Sequence, residues 1–332
     1  MPRARPPAEL VGGVVLVALL AAAALTAPAL APADPVEQVD APAGRFLPPG
    51  SGRFEVRVDG RRTVLAESAR AVPGGVEIVR KGETETIASE RIAELGPDGL
   101  PPRRLFLLGT DGFGRDVVSR LLWAGRTSLK IGALAALVAM LLGTAVGAVA
   151  GAAGGWVDGI LMRGVDALLA FPRLFLVIAL AAAFDSTAAV VVLVLGLTGW
   201  MGAARLVRSE VRALREREWV LAARGVGRGP AGVLGRHLLP HALTPVIVDT
   251  ALRTGEIILV ESALSFIGLG VDRPTPSWGG MIAEGMPALA SAWWISAFPG
   301  AAIALTVLGL NLAADGLRDW RDPRLLARGR PA

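Results

Sequence analysis

Six apolar runs punctuate the chain, at residues 10–32, 131–157, 160–184, 186–204, 242–266 and 291–314. Each is long enough to cross a hydrocarbon layer of ~30 Å as a helix, so the pattern predicts six membrane spans. The first run follows Arg3 and Arg5, and its Ala29-Leu30-Ala31 is similar to a signal-peptide cleavage site. Pro32 would then open the mature chain, where its ring makes a poor substrate, so the span is expected to be retained. The run 131–157 holds no charge, and Gly143, Gly147, Gly151 and Gly155 recur at every fourth residue. That spacing lines one helix face with small residues, on which another helix can pack closely. The run 160–184 is the weakest: Arg163 and Asp166 lie one turn apart and are expected to pair at a rim, and Pro172-Arg173 interrupts it. Fusing Leu174 to Ala204 would make a span about ten residues too long, so two helices turning at Asp185-Ser186-Thr187 fit better.

Between the first two spans, residues 33–127 are more polar and patterned differently. Phe54, Val56 and Val58 alternate with polar residues, Asp59-Gly60 follows, and Val64 resumes the apolar positions. Alternation around Asp-Gly is a hairpin signal, and Val76, Ile78 and Ile87 around Lys81-Gly82 suggest a second. A small β-rich extracytoplasmic insert at 50–95 is expected. Two hairpins alone bury little, so a linker with no fold of its own stays open.

The polar segment 205–241 separates two later spans. Val207, Val211, Leu214 and Leu221 are spaced for one helical face, with Glu218 interrupting it, and Gly225, Gly227, Gly229 and Pro230 end that helix. Ala231 to Leu239 can form a second, short helix before Pro240. The expectation is a bent pair of helices joined covalently to a span on each side, able to carry a push into the membrane. An ordinary basic loop that fixes orientation is the alternative.

Composition supports the membrane reading. Of 332 residues 53% are hydrophobic, and the mean hydropathy is +0.53. The net charge of +5 is carried almost wholly by arginine, Lys81 and Lys130 being the lysines. Such a bias concerns orientation rather than nucleic acid, and no nucleic-acid partner is expected. Six spans place both termini on one side, and the tail 315–332, with Arg318, Arg321, Arg324, Arg328 and Arg330, then faces the cytoplasm together with the 205–241 loop. Arg115, Arg120, Arg126 and Lys130 run against that rule, but in a long loop, where the rule is weak. With no cysteine, disulfides and thiolate metal sites are excluded. Lys81-Gly82 and Lys130-Ile131 do not fit a phosphate-binding Gly-Lys-Ser/Thr, so ATP is not expected to bind this chain. His237 and His241 are four apart, but no third ligand adjoins them, so neither metal nor cofactor is expected.

The segment 215–241 resembles the cytoplasmic loop of ATP-binding-cassette importer permeases, whose motif is Glu-Ala-Ala, three residues, Gly and, further on, Leu-Pro. Here Ala222-Ala223, Gly227 and Leu239-Pro240 stand at that spacing, with Leu221 where the motif often has Glu. The stretches LGTDGFGRDVVSRLLWAGRTSL (108–129), GGWVDGILMRGVDALLAFP (154–172), ESALSFIGLGVDRPTPSWGGMIAEG (261–285) and DGLRDWRDPRL (315–325) resemble the second permease of the dipeptide, oligopeptide and nickel branch. The resemblance covers roughly 105–326 and the first span. It implies an all-α membrane protein with the type-I, MetI-like permease bundle, in which 10–32 is the first span and 128–314 the five-span core. It further implies a second permease, two ATPase subunits that bind ATP and Mg, and an extracytoplasmic solute-binding protein. Glu218, Leu221, Ala222, Ala223, Gly227, Leu239 and Pro240 would then form the ATPase-coupling loop.

Asp249, Arg253 and Glu256 share one helix face inside an apolar run. An ionised residue at mid-membrane costs roughly 2.5–3.5 kcal/mol. They are expected either to pair with one another and pack, or to line the pathway and meet the charged ends of a peptide. The loop bearing Gly268, Gly270, Pro274, Pro276 and Trp278 reads as a gate, a docking surface or a plain connector. Two rival functions are a self-contained secondary transporter, which needs internal repeats and broken midplane helices that the sequence does not display, and a membrane-anchored sensor or scaffold.

Overall fold

The structure is a computed structural model, and it describes residues 6–60, 62–185 and 187–321. Arg3, Arg5, Ser186 of the expected turn, and Arg324, Arg328 and Arg330 of the tail lie outside the described residues. The helices are α1 (Ala8–Leu25), α2 (Ala27–Leu30), α3 (Ala41–Gly44), α4 (Val117–Ala153), α5 (Gly155–Leu169), α6 (Arg173–Ala182), α7 (Ala188–Arg215), α8 (Glu218–Gly225), α9 (Pro230–Val233), α10 (Leu239–Phe266), α11 (Trp278–Gly285) and α12 (Trp294–Arg321). Strands β1 (Ser51–Val58), β2 (Arg62–Ala66), β3 (Ser68–Val72), β4 (Gly75–Arg80), β5 (Glu83–Ala88) and β6 (Arg103–Phe106) lie between α3 and α4.

Among the described residues four helices, α1, α4, α7 and α12, are long and apolar enough to cross a membrane, or five if α5 and α6, bent by 80° at Pro172, count as one. The 28-residue α10 falls outside that count; it carries Asp249, Arg253, Glu256 and Glu261. The chain divides into two compact units, Met1–Ala21, Ser128–Asp272 and Ile303–Ala332 in one, Ala22–Thr127 and Arg273–Ala302 in the other.

In the first unit α4 and α7 pack backbone to backbone. A Cβ added at Gly143 would come within 2.6 Å of Ala203 Cβ, and one at Gly151 within 2.9 Å of Val211 Cβ. At Gly147 it would run into the backbone around Ala204 and Arg208. Gly155 departs from the stripe: it opens α5 with φ +55° and faces open space, because α4 ends at Ala153. α5 and α7 are tied by ion pairs, Arg208 and Arg212 to Asp158 and Arg205 to Asp166. Asp166 thus meets an arginine across helices rather than Arg163, one turn away. Ile131, Ala135, Val177, Val191, Leu195, Ile257 and Leu264 form one core from α4, α6, α7 and α10.

The second unit holds two antiparallel sheets of order β2-β1-β6 and β3-β4-β5. Asp59 and Gly60 both have positive φ and close the β1–β2 hairpin, with Val58 opposite Arg62. Lys81-Gly82 closes β4–β5 likewise, with Arg80 opposite Glu83. Val56, Val58, Val64 and Ala66 of one sheet share a core with Val76, Ile78 and Ile87 of the other and with Ile92. The segment therefore has a hydrophobic core of its own, and β6 extends it past residue 95.

Candidate functional site

The segment from α7 to α10 is built by three anchors and one turn. Residues 205–215, read from sequence as the start of a loop, are about three more turns of α7. Its last turn carries Arg212 and Arg215, and α8 opens on Glu218, so both helix ends bear charges of the stabilising sign. The break at Glu216-Arg217 resets the helical phase, so Val220 is buried and Leu221, expected on the inner face, is 51% exposed. Val220, Val233 and Leu238 pin the segment to Ala148, Val207, Val211, Ala242 and Val246. Fully burying one such valine contributes about 1.5–3 kcal/mol.

Gly227 ends α8. Its φ is +86°, its N–H donates to Arg224 O at 2.9 Å, and Arg228 N–H donates to Ala223 O at 3.3 Å. This is the Schellman arrangement, which asks for a residue in the left-handed region just past the cap, a position that glycine fills without strain. Pro230 then starts α9, where its missing N–H is harmless. Pro240 does not end a second helix. A π-turn at Leu234–Leu238 runs into α10, Leu239 N–H donating five residues back to Leu234 O, and Pro240 sits in the first turn of α10. The outer side of the elbow, including Ala222, Arg224, Val226 (87%) and Gly227, is open. Beside it a groove of about 810 Å³ is lined by Leu214, Glu216, Arg217, Glu218, Trp219 and His241. The Trp219 ring lies 5.2 Å from that of His241 and 6.3 Å from that of His237.

On α10, Asp249 and Arg253 pair with each other at 2.5 Å. Glu256 does not join them; it pairs at 2.5 Å with Arg173 at the start of α6. Both arginines rest against glycines of α7: a Cβ at Gly199 would lie 3.3 Å from Arg173 Nη2, and one at Gly202 2.5 Å from Arg253 Nη2. Sequence reasoning missed Arg173, Gly199 and Gly202, and only an unbalanced glutamate on α10 hinted at a missing cation. Glu261, one turn further on, is buried and accepts from Ser265 Oγ at 2.8 Å and Ser128 Oγ at 3.1 Å.

In the second unit Arg115 and Arg120, two of the four cations that the sequence pattern sets against the positive-inside rule, are buried and neutralised. Arg115 donates to Asp111 at 2.7 Å and to Glu284 at 2.6 Å, and Arg120 bonds the same two acids. Asp111 also accepts the N–H groups of Phe113 and Arg115, which shapes the 111–115 turn. Asp116 caps α4 by accepting Ser119 N–H at 2.7 Å.

Comparison with known proteins identifies the family of the helical part. The family described as binding-protein-dependent transport system inner membrane component matches residues 143–327. A dipeptide transport system permease protein of Alkalihalophilus pseudofirmus is 38% identical over 72% of this chain and 79% of its own length. A glutathione transport system permease protein of Pectobacterium atrosepticum is 40% identical over 68% of the chain and 74% of its own. An oligopeptide transport system permease protein of Bacillus subtilis is 38% identical over the same shares. The chain belongs to the family of binding-protein-dependent transport system inner membrane components and is a membrane-embedded permease subunit whose ATPase resides on separate chains.

Proposed function

We propose that the chain is half of the translocation pathway of an ATP-driven importer of peptides or related small solutes. It spans the membrane six times, the bent α5–α6 pair and the charged α10 counting as one span each, with both termini in the cytoplasm. It works with a second permease, two ATPases that bind ATP and Mg, and an extracytoplasmic solute-binding protein. The β sandwich stands on the outer side. The peptide class is supported by the relatives, permeases of dipeptide, glutathione and oligopeptide transport systems.

The observation that carries the reading is the elbow. Glu218, Leu221, Ala222 and Gly227 present an open surface beside the half-buried Ala223, while Val220, Val233, Leu238 and Leu239, next to Pro240, tie it to α4, α7 and α10. A partner that moves the elbow must move those helices, since a close-packed interface transmits displacement rather than absorbing it. Asp249, Arg253 and Glu256 then line the pathway, because charged residues within a span turn to a bundle interior or aqueous cavity, not to lipid. Affinity capture of the tagged chain from membranes tests this. Recovery of two ATPase chains and a second permease, with ATP turnover that rises on adding the loaded binding protein, is expected. Capture of the chain as a self-sufficient transporter would refute it.

A further inference from the structure

The Arg173–Glu256 contact joins a guanidinium with two unpartnered nitrogens to a half-exposed carboxylate. Arg173 spends one amino group on Glu256, at 2.5 Å, while among the described residues its Nε and Nη2 are buried without a hydrogen-bond partner. Arg173 as a whole is about a quarter exposed, but vacant buried donors on a guanidinium are costly, and a planar carboxylate is the group that best fills that fork. Glu256 has the opposite character: its side chain is 53% exposed although it lies only about 15 Å of helix from Phe266, well inside a span-length helix. A half-exposed glutamate at that depth belongs in a water-filled cavity. One turn away, Arg253 and Asp249 form a second pair, each about a quarter exposed. The glycines at 199 and 202 leave the room that the two guanidinium groups occupy against α7.

We propose that these two pairs form an exchange site for a zwitterionic solute, one bearing both a free carboxylate and a free ammonium. The proposal rests on the importer reading given above and names the chemistry its pathway accepts. In the empty chain Glu256 stands in for the solute's carboxylate at Arg173. An arriving carboxylate takes the fork of Arg173, and the released Glu256 takes the ammonium, with Asp249 and Arg253 able to repeat the exchange one turn further along. Each charge leaves one partner for another, so no ion is left bare in transit. A solute with blocked ends offers neither half of the exchange and leaves the resident pairs closed.

The test uses the assembled importer in lipid nanodiscs without its binding protein, with tritiated di-, tri- and penta-alanine as probes. Saturable binding is expected, with N-acetylated, C-amidated peptides failing to compete. Arg173→Gln with Glu256→Gln should weaken binding at least tenfold. Arg173→Lys keeps the charge and the pairing but loses the fork, and should weaken it several-fold with normal assembly. Wild-type affinity in either variant, or equal competition by the blocked peptides, overturns the proposal. Uptake into proteoliposomes with the loaded binding protein separates the two readings. If wild type takes up these peptides and the double variant matches its KM and kcat, the exchange site alone is wrong. If wild type takes up none of them, the peptide reading falls and the exchange site with it.

Discussion

Replacing Gly227 by alanine probes the elbow at its sharpest point. A Cβ at this position meets nothing within 4 Å, so the substitution collides with no neighbour, and its whole effect comes from a backbone held at φ +86°. An L-residue in the left-handed region costs roughly 1–2 kcal/mol. That changes the closed-to-open ratio of the turn by a factor of about 5–30. Amide exchange reads this directly, since the Gly227 and Arg228 N–H groups make the two capping bonds at 2.9 and 3.3 Å. Their exchange should quicken by that factor in Gly227→Ala, and substrate-stimulated ATP turnover of the assembled importer should fall alongside. Asparagine tolerates the left-handed region better than other side-chain-bearing residues, so Gly227→Asn should lie between wild type and alanine in both assays. Lost turnover with unchanged exchange in Gly227→Ala would refute the reasoning. It would mean that the glycine is needed for contact with a partner rather than for the bend.

Other consequences are equally specific. Gly147→Leu puts a side chain into the backbone of α7 around Ala204; overpacking of this kind costs about 1–3 kcal/mol or more, and the thermal midpoint in detergent should fall, whereas Gly155→Leu, in open space, should lower it less. Glu284→Gln leaves Arg115 and Arg120, 8% and 3% exposed, sharing Asp111 alone, and should destabilise the chain by about 3–5 kcal/mol, read as a loss of monodisperse protein on heating. In the β sandwich a hydrogen bond from Arg91 holds the Asp59 carboxyl below its ordinary range. A depressed carboxylate stabilises above its unfolded pKa, and the effect is lost as pH falls through the folded value. The protection factor at the Asp59-Gly60 turn, taken relative to the intrinsic exchange rate at each pH, should therefore fall on acidification below the usual carboxylate range, and Asp59→Asn should abolish that fall.

What the sequence could show depended on the range of the forces involved. The hairpins were legible because Asp59-Gly60 and Lys81-Gly82 fix their own turns locally and the alternation on either side sets the inner face. The join between the two sheets was not, because nothing in Val56 or Val76 alone says that they meet, and β6 is only four residues long. Gly143, Gly147 and Gly151 announced a close-packed face, but where α4 ends is set by Gly154 and Gly155 at positive φ, a break that the fourfold spacing runs straight through. In the elbow, Gly227 was readable as a helix stop, while the two-residue interruption at Glu216-Arg217 shifted the phase and exchanged Leu221 for Val220 at the core. The charged face of α10 was visible as a spacing, yet the partner of Glu256 lies 83 residues away. Ion pairs between helices obey the fold rather than the local pattern, and the same is true of Arg120 and Glu284, 164 residues apart.

The chain has no cysteine, so a single one introduced at Ala222 is unique within it. Cross-linking that residue to the assembled importer in membranes, with a short thiol-to-amine reagent and mass spectrometry of the product, tests the coupling claim most directly. The account predicts a cross-link to an ATPase chain, with a yield that changes between nucleotide-free and ATP-trapped states. A product formed only with lipid or with the second permease, and unaffected by nucleotide, would contradict it.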